Sequence, residues 1–254
     1  AFHLVHGVEG HADHDEDRSA AERLDERIAG EVEDDRRHHR DGGDEDAAGQ
    51  RHAVQHVLDV GDRGRARAHA GDEAALRAAV DSGANAVYLG YRAFGARASA
   101  TNFDAEALEA AVRYAHLYHV RVYVTVNTLV KPDEMQDLRA ALGEIAATGA
   151  DAAIVQDLGV AALVRREFPA LALHASTQMA ICNADGARLA RLLGFSRVVL
   201  ARECSLEDAH AVAETGIETE VFVHGALCTA VSGRCLMSSM SGGRSGNRGR
   251  CAQP

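Results

Sequence analysis

Hydrophobic and polar positions follow a regular order from residue 71 onward. Short apolar runs of Val, Leu and Ala predict buried strands, and the stretch after each run carries apolar residues at helical spacing. The predicted strands are 86–89, 120–126, 152–155, 171–175, 198–200 and 221–223. The predicted helices are 72–80, one that begins at 104, 132–147, 158–168, 183–193 and 205–216.

A repeated unit joins these elements: a helix, then a glycine, then two to four residues, then a strand. It occurs around Gly83, Gly149, Gly194 and Gly216. Such alternation predicts parallel strands joined by helical crossovers. We therefore predict an incomplete (β/α)8 barrel of the TIM type, with an open doubly wound sheet as the alternative. The first strand is expected just before Gly71, where 65–69 makes a poor strand, and an eighth beyond Pro254.

Residues 1–64 differ from the rest of the chain. They contain 18 of the acidic residues and 8 arginines, so they account for −10 of the net charge of −11. Their low hydrophobicity cannot offset the entropy of ordering. We predict that 1–69 is a disordered tail or an out-of-frame translation, and that 70–254 is the barrel domain. A metal-binding His/Asp-rich segment is the alternative.

Polar side chains follow nearly every predicted strand, at the end where (β/α)8 enzymes carry their chemistry. His224 is the candidate acid or base, and Arg202 and Glu203 either pair with each other or hold an anionic substrate. The ordinary alternative for each residue is a helix cap or a satisfied loop side chain. The set comprises Asn127, Gln156, Asp157, His174, Ser176, Gln178, Arg202, Glu203 and His224.

Three of the five cysteines, Cys228, Cys235 and Cys251, lie in a glycine-rich stretch near the end of the sequence. Clustered thiolates on a flexible loop suit a soft metal or an iron–sulfur cluster. Three thiolates are one short of a closed structural site. Cys182 and Cys204 are expected to be inert core thiols. The arginines of the same stretch, Arg244 and Arg248 among them, are typical of an RNA- or phosphate-contacting loop, or of a solvated one.

The same stretch resembles the peptidase U32 (collagenase-like) family. The motifs are Val221-Phe-Val-His-Gly-Ala-Leu-Cys228, Ser232-Gly-Arg-Cys235-Leu and Gly242-Gly-Arg-Ser-Gly-Asn-Arg-Gly-Arg-Cys251. Upstream, Ala86-Val-Tyr-Leu-Gly90, Phe94-Gly-Ala-Arg97, Val124-Thr-Val-Asn127, Ile154-Val-Gln-Asp157, His174-Ala-Ser-Thr-Gln178 and Val199-Leu-Ala-Arg-Glu203 also fit. The resemblance covers about residues 70–254 and is nearest to the ribosomal-RNA branch. The family's opening strand is missing apart from Ala70-Gly71-Asp72.

This resemblance implies a barrel-type domain that takes part in hydroxylating a 23S rRNA cytidine or a tRNA wobble uridine, with prephenate supply implicated. It also implies a four-iron cluster on four cysteines, of which Cys228, Cys235 and Cys251 would be three and the fourth would lie outside this chain. The predicted catalytic residues are His224, Glu203 and Arg202. The predicted substrate-binding residues are Asn127, Gln156, Asp157, His174, Ser176, Gln178, Arg244 and Arg248.

Three functions are compatible with these observations. The first is an iron–sulfur RNA hydroxylation enzyme, the second a collagenase-like peptidase, and the third a non-catalytic RNA-binding partner. The near-neutral charge of residues 65–254 neither supports nor excludes RNA. No apolar run approaches the roughly 18 residues of a membrane span. A cytoplasmic location is therefore expected.

Overall fold

A computed structural model describes residues 56–59, 66–97, 101–223 and 228–251 of the chain. Over these ranges the strands are β1 His56–Asp59, β2 Ala66–Ala70, β3 Ala86–Gly90, β4 Arg121–Val126, β5 Ala152–Val155, β6 Ala172–Ala175, β7 Arg197–Val199 and β8 Glu218–Phe222. The helices are α1 Glu73–Asp81, α2 Ala105–Leu117, α3 Met135–Ala147, α4 Leu158–Glu167, α5 Ala184–Leu192, α6 Leu206–Ala213 and α7 Met237–Gly242. Short 3-10 turns lie at Pro132–Glu134, Thr177–Met179 and Gly246–Arg248.

The described strands form a closed barrel in chain order. Strands β2 to β8 pair with one another in parallel, each with the next in the chain. Strand β1 pairs antiparallel with both β2 and β8. The predicted parallel α/β barrel is thus confirmed, and its first parallel strand is the expected one just before Gly71.

Two details of the predicted barrel need correction. We expected the eighth strand of the barrel beyond Pro254. Its place in the sheet, between β8 and β2, is taken by β1, because an antiparallel strand can hydrogen-bond to both free edges of the seven parallel strands. The boundary at residue 70 is also too late, since β1 and most of β2 precede it. The remainder of the predicted tail, residues 1–55 and 60–65, lies outside the described residues.

The predicted helix–glycine–strand unit is present in the structure. Gly83, Gly149, Gly194 and Gly216 have φ between 77° and 93°, the left-handed region that glycine enters without steric cost. At the other end of the helices, polar side chains accept hydrogen bonds from first-turn amides. These N-caps are Asp72, Asp104, Asp157, Asn183 and Ser205.

Apolar residues form two separate clusters. The larger lies between the outer face of the strands and the helices and includes Leu138, Leu142 and Val155. The smaller lies on the opposite face of the strands, inside the barrel, and contains Ala86, Tyr88, Tyr123, Ala152 and Ile154. Within the described ranges, no helix has the length and apolar character needed to cross a bilayer.

Strands β7 and β8 begin earlier than predicted, at Arg197 and Glu218. The reason is a buried ionic cluster that the apolar pattern did not reveal. Arg67 lies 3.0 Å and Arg197 lies 3.6 Å from the Glu220 carboxylate, and all three side chains are at most 3% exposed. Arg197 also pairs with the half-exposed Glu218 and covers the Tyr123 ring at 5.2 Å. Charged residues are therefore integral to these strands.

Candidate functional site

The carboxyl ends of β4 and β6 bring two predicted site residues into contact. The Asn127 side-chain oxygen accepts a hydrogen bond from the Ala96 amide at 2.9 Å, and its NH2 donates to the Ser176 hydroxyl at 3.4 Å. The same hydroxyl accepts from the Gln178 amide at 3.2 Å. Asn127 therefore links the loop after β3 to the turn after β6. We refer to the carboxyl ends of β4 to β7, with the loops that follow them, as the barrel mouth.

Gln156 directly follows β5, and His174 lies within β6; both are buried, at 9% and 4% exposure. His174 is opposite Ile154 in the parallel register, and its ring meets the Tyr123 ring edge-on at 4.5 Å. Burial, followed by the nearby Arg197 and Arg67, holds the pKa of His174 well below its usual value. The imidazole is therefore neutral at physiological pH and cannot serve there as a cationic ligand for phosphate.

Asp157 is committed to local structure. Its carboxylate caps α4 by accepting from the Gly159 and Val160 amides at 2.7 and 3.2 Å. Its second oxygen accepts from the Val130 amide at 3.2 Å. Asp157 is therefore a helix cap, which is the ordinary alternative for a polar residue at a strand end. A substrate contact by Asp157 stays a prediction.

Glu203 is anchored to the C-terminal segment, which we define as residues 228–251. Its carboxylate accepts from the Ser232 amide at 2.6 Å and from the Ser232 hydroxyl at 2.8 Å. Burial alone would raise the pKa of Glu203, but these two hydrogen bonds outweigh it and leave the pKa lowered. The Arg202 amide donates weakly to the same hydroxyl at 3.5 Å. Glu203 is thus an ionised acceptor in this arrangement rather than a proton donor.

Gly233 brings the C-terminal segment directly against the mouth. Its φ is +68°, and a Cβ built on it would lie 2.0 Å from the Gln178 carbonyl oxygen. Ser232, its neighbour, is 1% exposed. The segment therefore contacts the turn after β6 at Gln178 and the loop after β7 at Glu203. His224, the candidate acid or base, belongs to residues 224–227, which lie outside the described residues.

Arg248 fastens the far end of the same segment. One guanidinium nitrogen donates to the Leu129 carbonyl and to Glu134, both at 3.0 Å, and the other pairs with the second Glu134 oxygen. This bidentate pair is the main reason that the pKa of Glu134 falls from 4.5 to about 2. A cleft of about 160 Å³ lies beside the pair. Arg244, in contrast, is exposed and accessible to a polyanion. Of the two predicted RNA-contacting arginines, Arg248 is engaged as an anchor.

The cysteines of the segment are only partly brought together. Gly246 lies beside both the Cys235 carbonyl and the Cys251 side chain, because a Cβ on it would be 3.9 and 3.8 Å from them. Cys228 and Cys251 are exposed. Among the described residues, no group of three His, Cys, Asp or Glu side chains is placed to hold a metal ion. The arrangement as described does not fit a three-thiolate iron–sulfur site.

The interior cluster of Arg67, Arg197 and Glu220 is what the sequence reasoning missed. The available signal was the period-two spacing of Glu218 and Glu220, which places both carboxylates on one face of a strand.

Cys182 and Cys204, predicted to be core thiols, are half-buried. Burial is the main reason that the pKa of Cys204 rises to about 12, so this thiol stays protonated and unreactive.

The sequence of the chain is similar to those of several known proteins. The sequence model of Peptidase family U32 matches residues 71–254. The chain is 42% identical over 183 residues to the 23S rRNA 5-hydroxycytidine C2501 synthase of Escherichia coli, covering 72% of this chain and 27% of that protein. It is 37% identical over 187 residues to tRNA hydroxylation protein P1 of Bacillus subtilis, covering 73% and 44%. It is 34% identical over 200 residues to a collagenase of Porphyromonas gingivalis, covering 72% and 47%. The chain thus spans less than half the length of these relatives.

Proposed function

Because this chain belongs to peptidase family U32, we propose that it takes part in hydroxylating a base of ribosomal or transfer RNA. The relatives named for RNA hydroxylation support this proposal. The structural observation that carries it is the contact between two uncharged hydrogen-bonding side chains, Asn127 and Ser176, at the carboxyl ends of β4 and β6. The amide of Asn127 contacts the hydroxyl of Ser176, and neutral His174 lies in β6, which Ser176 directly follows. Such groups suit the edges of an unstacked base.

Backbone recognition would come from the rim of the mouth. Arg244 is exposed on the C-terminal segment, and cations in such positions contact phosphate without reading sequence. Enzymes that modify a base act on single-stranded or flipped nucleotides, which need one pocket for the base and a separate contact for the backbone. The mouth and the C-terminal segment would supply these two parts.

The oxygen donor and a four-iron cluster belong to the same proposal. The family resemblance links the chemistry to prephenate and to cysteine-bound iron. Cys235 and Cys251 are the two thiols that share a glycine neighbour, but the described arrangement lacks a third ligand. We therefore assign no reaction step to the cluster. Iron and acid-labile sulfide measured on anaerobically purified protein, compared between the wild type and Cys235→Ser, test whether the cysteines bind it.

A collagenase-like peptidase is the second candidate, since one relative carries that name. One of the predicted catalytic residues, Glu203, is ionised and bound by both donors of Ser232, which favours a loop anchor over a proton-transfer role. The third candidate, an RNA-binding partner without catalysis, uses the same rim contacts.

One experiment separates the three. The chain is expressed in bacteria that lack their own U32 RNA hydroxylation proteins, and their nucleosides are analysed by mass spectrometry. A restored hydroxylated cytidine or uridine is expected. Retention of RNA without any hydroxylated nucleoside would favour the binding partner. Gelatin cleavage by the purified chain, lost in Glu203→Gln and retained after chelation, would favour the peptidase.

A further inference from the structure

We infer that Cys182 and Cys204 are a reversible thiol–disulfide pair, a modification site in the loops of the barrel mouth. The inference goes beyond the proposed function, because it concerns two side chains that RNA hydroxylation does not use. The disulfide would join the loop after β6 to the loop after β7, and a hydroperoxide would serve as the oxidant.

The repeated strand–helix unit brings the two cysteines to equivalent places in neighbouring units. Cys182 directly precedes Asn183, the N-cap of α5, and Cys204 directly precedes Ser205, the N-cap of α6. Strands β6 and β7, which lead into these two loops, pair in parallel. Equivalent positions of successive units lie side by side around a barrel. The two side chains therefore come together although they are distant in the sequence.

Hydrogen bonds hold both thiols against one short piece of backbone. The Cys182 thiol donates to the Ala180 carbonyl at 3.5 Å, and the Cys204 thiol donates to the Ile181 carbonyl at 3.7 Å. The Ile181 carbonyl also accepts from the Ala201 amide at 3.1 Å, which ties the two loops together. Because that carbonyl belongs to the peptide unit leading into Cys182, the sulfur of Cys204 lies close to the Cα of Cys182. A disulfide between side chains so placed needs little backbone movement.

The two thiols have different roles in forming the bond. Burial, and next the neighbouring Cys182 side chain, raise the pKa of Cys204 to about 12. Cys204 therefore stays protonated and does not attack an oxidant itself, since the thiolate is the nucleophile. Cys182 is thus the attacking residue. Cys204 reacts only afterwards, with an oxidised sulfur that is already held beside it.

The reaction balances as a two-electron oxidation by a hydroperoxide. The Cys182 thiolate attacks the O–O bond and becomes a sulfenic acid, while the other oxygen takes up the Cys182 proton and leaves as water or an alcohol. The Cys204 sulfur then attacks the Cys182 sulfur and an S–S bond forms. The departing hydroxide takes the Cys204 proton and becomes water. A small thiol reverses the modification by thiol–disulfide exchange.

Both attachment points of the C-terminal segment lie next to this pair. Gln178, whose carbonyl oxygen faces Gly233, belongs to the same loop as Cys182. Glu203, whose carboxylate binds the segment, directly precedes Cys204. A covalent bond between the two loops limits their separation and so fixes the distance between the attachment points. The oxidised protein is therefore expected to release the segment less often than the reduced protein.

The experiment treats the intact chain with hydrogen peroxide and maps the products by mass spectrometry after digestion with trypsin and Glu-C protease. Digestion isolates Cys182 in the peptide 168–188 and Cys204 in the peptide 204–207. A cross-link between these two peptides, removed by dithiothreitol, is expected in the folded protein. The same treatment in urea should distribute cross-links over all five cysteines, because the native contact is then lost. The matched control, Cys228→Ser, changes an exposed thiol and should leave the cross-link unchanged.

Serine variants test the two roles. In Cys204→Ser the sulfenic acid on Cys182 should persist and be labelled by dimedone, whereas in Cys182→Ser the Cys204 side chain should stay unlabelled. Three results would overturn the assignment. They are a folded, peroxide-treated wild type without the cross-link, an equal yield of it in folded and urea-treated protein, and dimedone on Cys204 in Cys182→Ser.

The consequence for the C-terminal segment has its own measurement. Trypsin cleavage after Arg234 should be slower in oxidised than in reduced wild type. In Cys204→Ser, which cannot form the disulfide, peroxide should not slow this cleavage. Equal cleavage rates in the two forms of the wild type would refute the link between the disulfide and the segment.

Discussion

Replacement of Gly233 by alanine tests whether the C-terminal segment is held against the barrel mouth. The new Cβ would lie 2.0 Å from the Gln178 carbonyl oxygen, a backbone atom that cannot move without the turn after β6. The φ of +68° adds a second penalty. A left-handed conformation costs an L-residue roughly 1–2 kcal/mol, and overpacking typically adds about 1–3 kcal/mol. The total is about 2–5 kcal/mol.

Gly243 provides a matched control in the same segment. Its φ is +65°, but nothing lies within 4 Å of the position of its Cβ. Gly243→Ala therefore carries the conformational penalty without the clash, and about 1–2 kcal/mol is expected. The difference between the two variants isolates the contact with the turn after β6.

The assay is limited trypsin digestion combined with thermal unfolding. The segment contains several trypsin sites, Arg234, Arg244, Arg248 and Arg250. If releasing the segment from the barrel costs less free energy than the clash, Gly233→Ala releases the segment locally. Trypsin cleavage then accelerates, while the melting temperature of the barrel stays nearly unchanged. If releasing the segment costs more than the clash, the segment stays in place and the melting temperature falls instead. Equal digestion rates and equal melting temperatures for the two alanine variants would refute the described contact.

Three further changes follow from the ionic contacts. Glu220→Gln leaves two buried arginines without their shared carboxylate and should lower the free energy of unfolding in urea by about 3–5 kcal/mol. Glu218→Gln, at a half-exposed position, should lower it clearly less. Equal losses for the two variants would contradict the buried cluster. The pKa of Glu134 is depressed from 4.5 to about 2, so its pairing with Arg248 stabilises the segment above pH 4.5 and is lost as the pH falls toward 2. Trypsin is inactive at that pH, so the assay is hydrogen exchange. Exchange in the segment should increase in acid in the wild type, and Glu134→Gln should show no such pH-dependent increase. Ser232→Ala removes one of the two donors to Glu203 and should raise its pKa, followed by NMR titration; an unchanged pKa would contradict the anchor.

The sequence predicted the parallel barrel and its turns because both depend on local signals. Helical periodicity, the capping residues and glycines such as Gly83 and Gly149 specify each unit without reference to its neighbours. The extent of β8 was predicted less well, because Glu218 and Glu220 have no apolar signature. Their place inside a strand depends on arginines that arrive from distant strands, which single-sequence patterns do not encode.

The candidate site, like the fold, could be predicted from the sequence only in part. Strand-end position was sufficient to predict that Asn127 and Ser176 lie close together, since all parallel strands of a barrel end on one face. It was insufficient to separate a cap such as Asp157 from a ligand contact, because both roles favour the same side chain at the same position. The pairing of Arg248 with Glu134 joins residues more than a hundred positions apart, so nothing local could have indicated it.

The antiparallel strand β1 has a consequence for how the protein reaches its native state. Val57 pairs with Phe222 on one side and with Arg67 on the other. During synthesis β2, the first partner of β1, leaves the ribosome a few residues after β1. The second partner, β8, follows only after all the intervening helices and strands have emerged. Ring closure is therefore expected to be the last and slowest event, since contacts of such sequence separation carry the greatest loop-closure cost. Until then both margins of the nascent sheet expose unpaired amides, and chaperone dependence should be greatest in that interval.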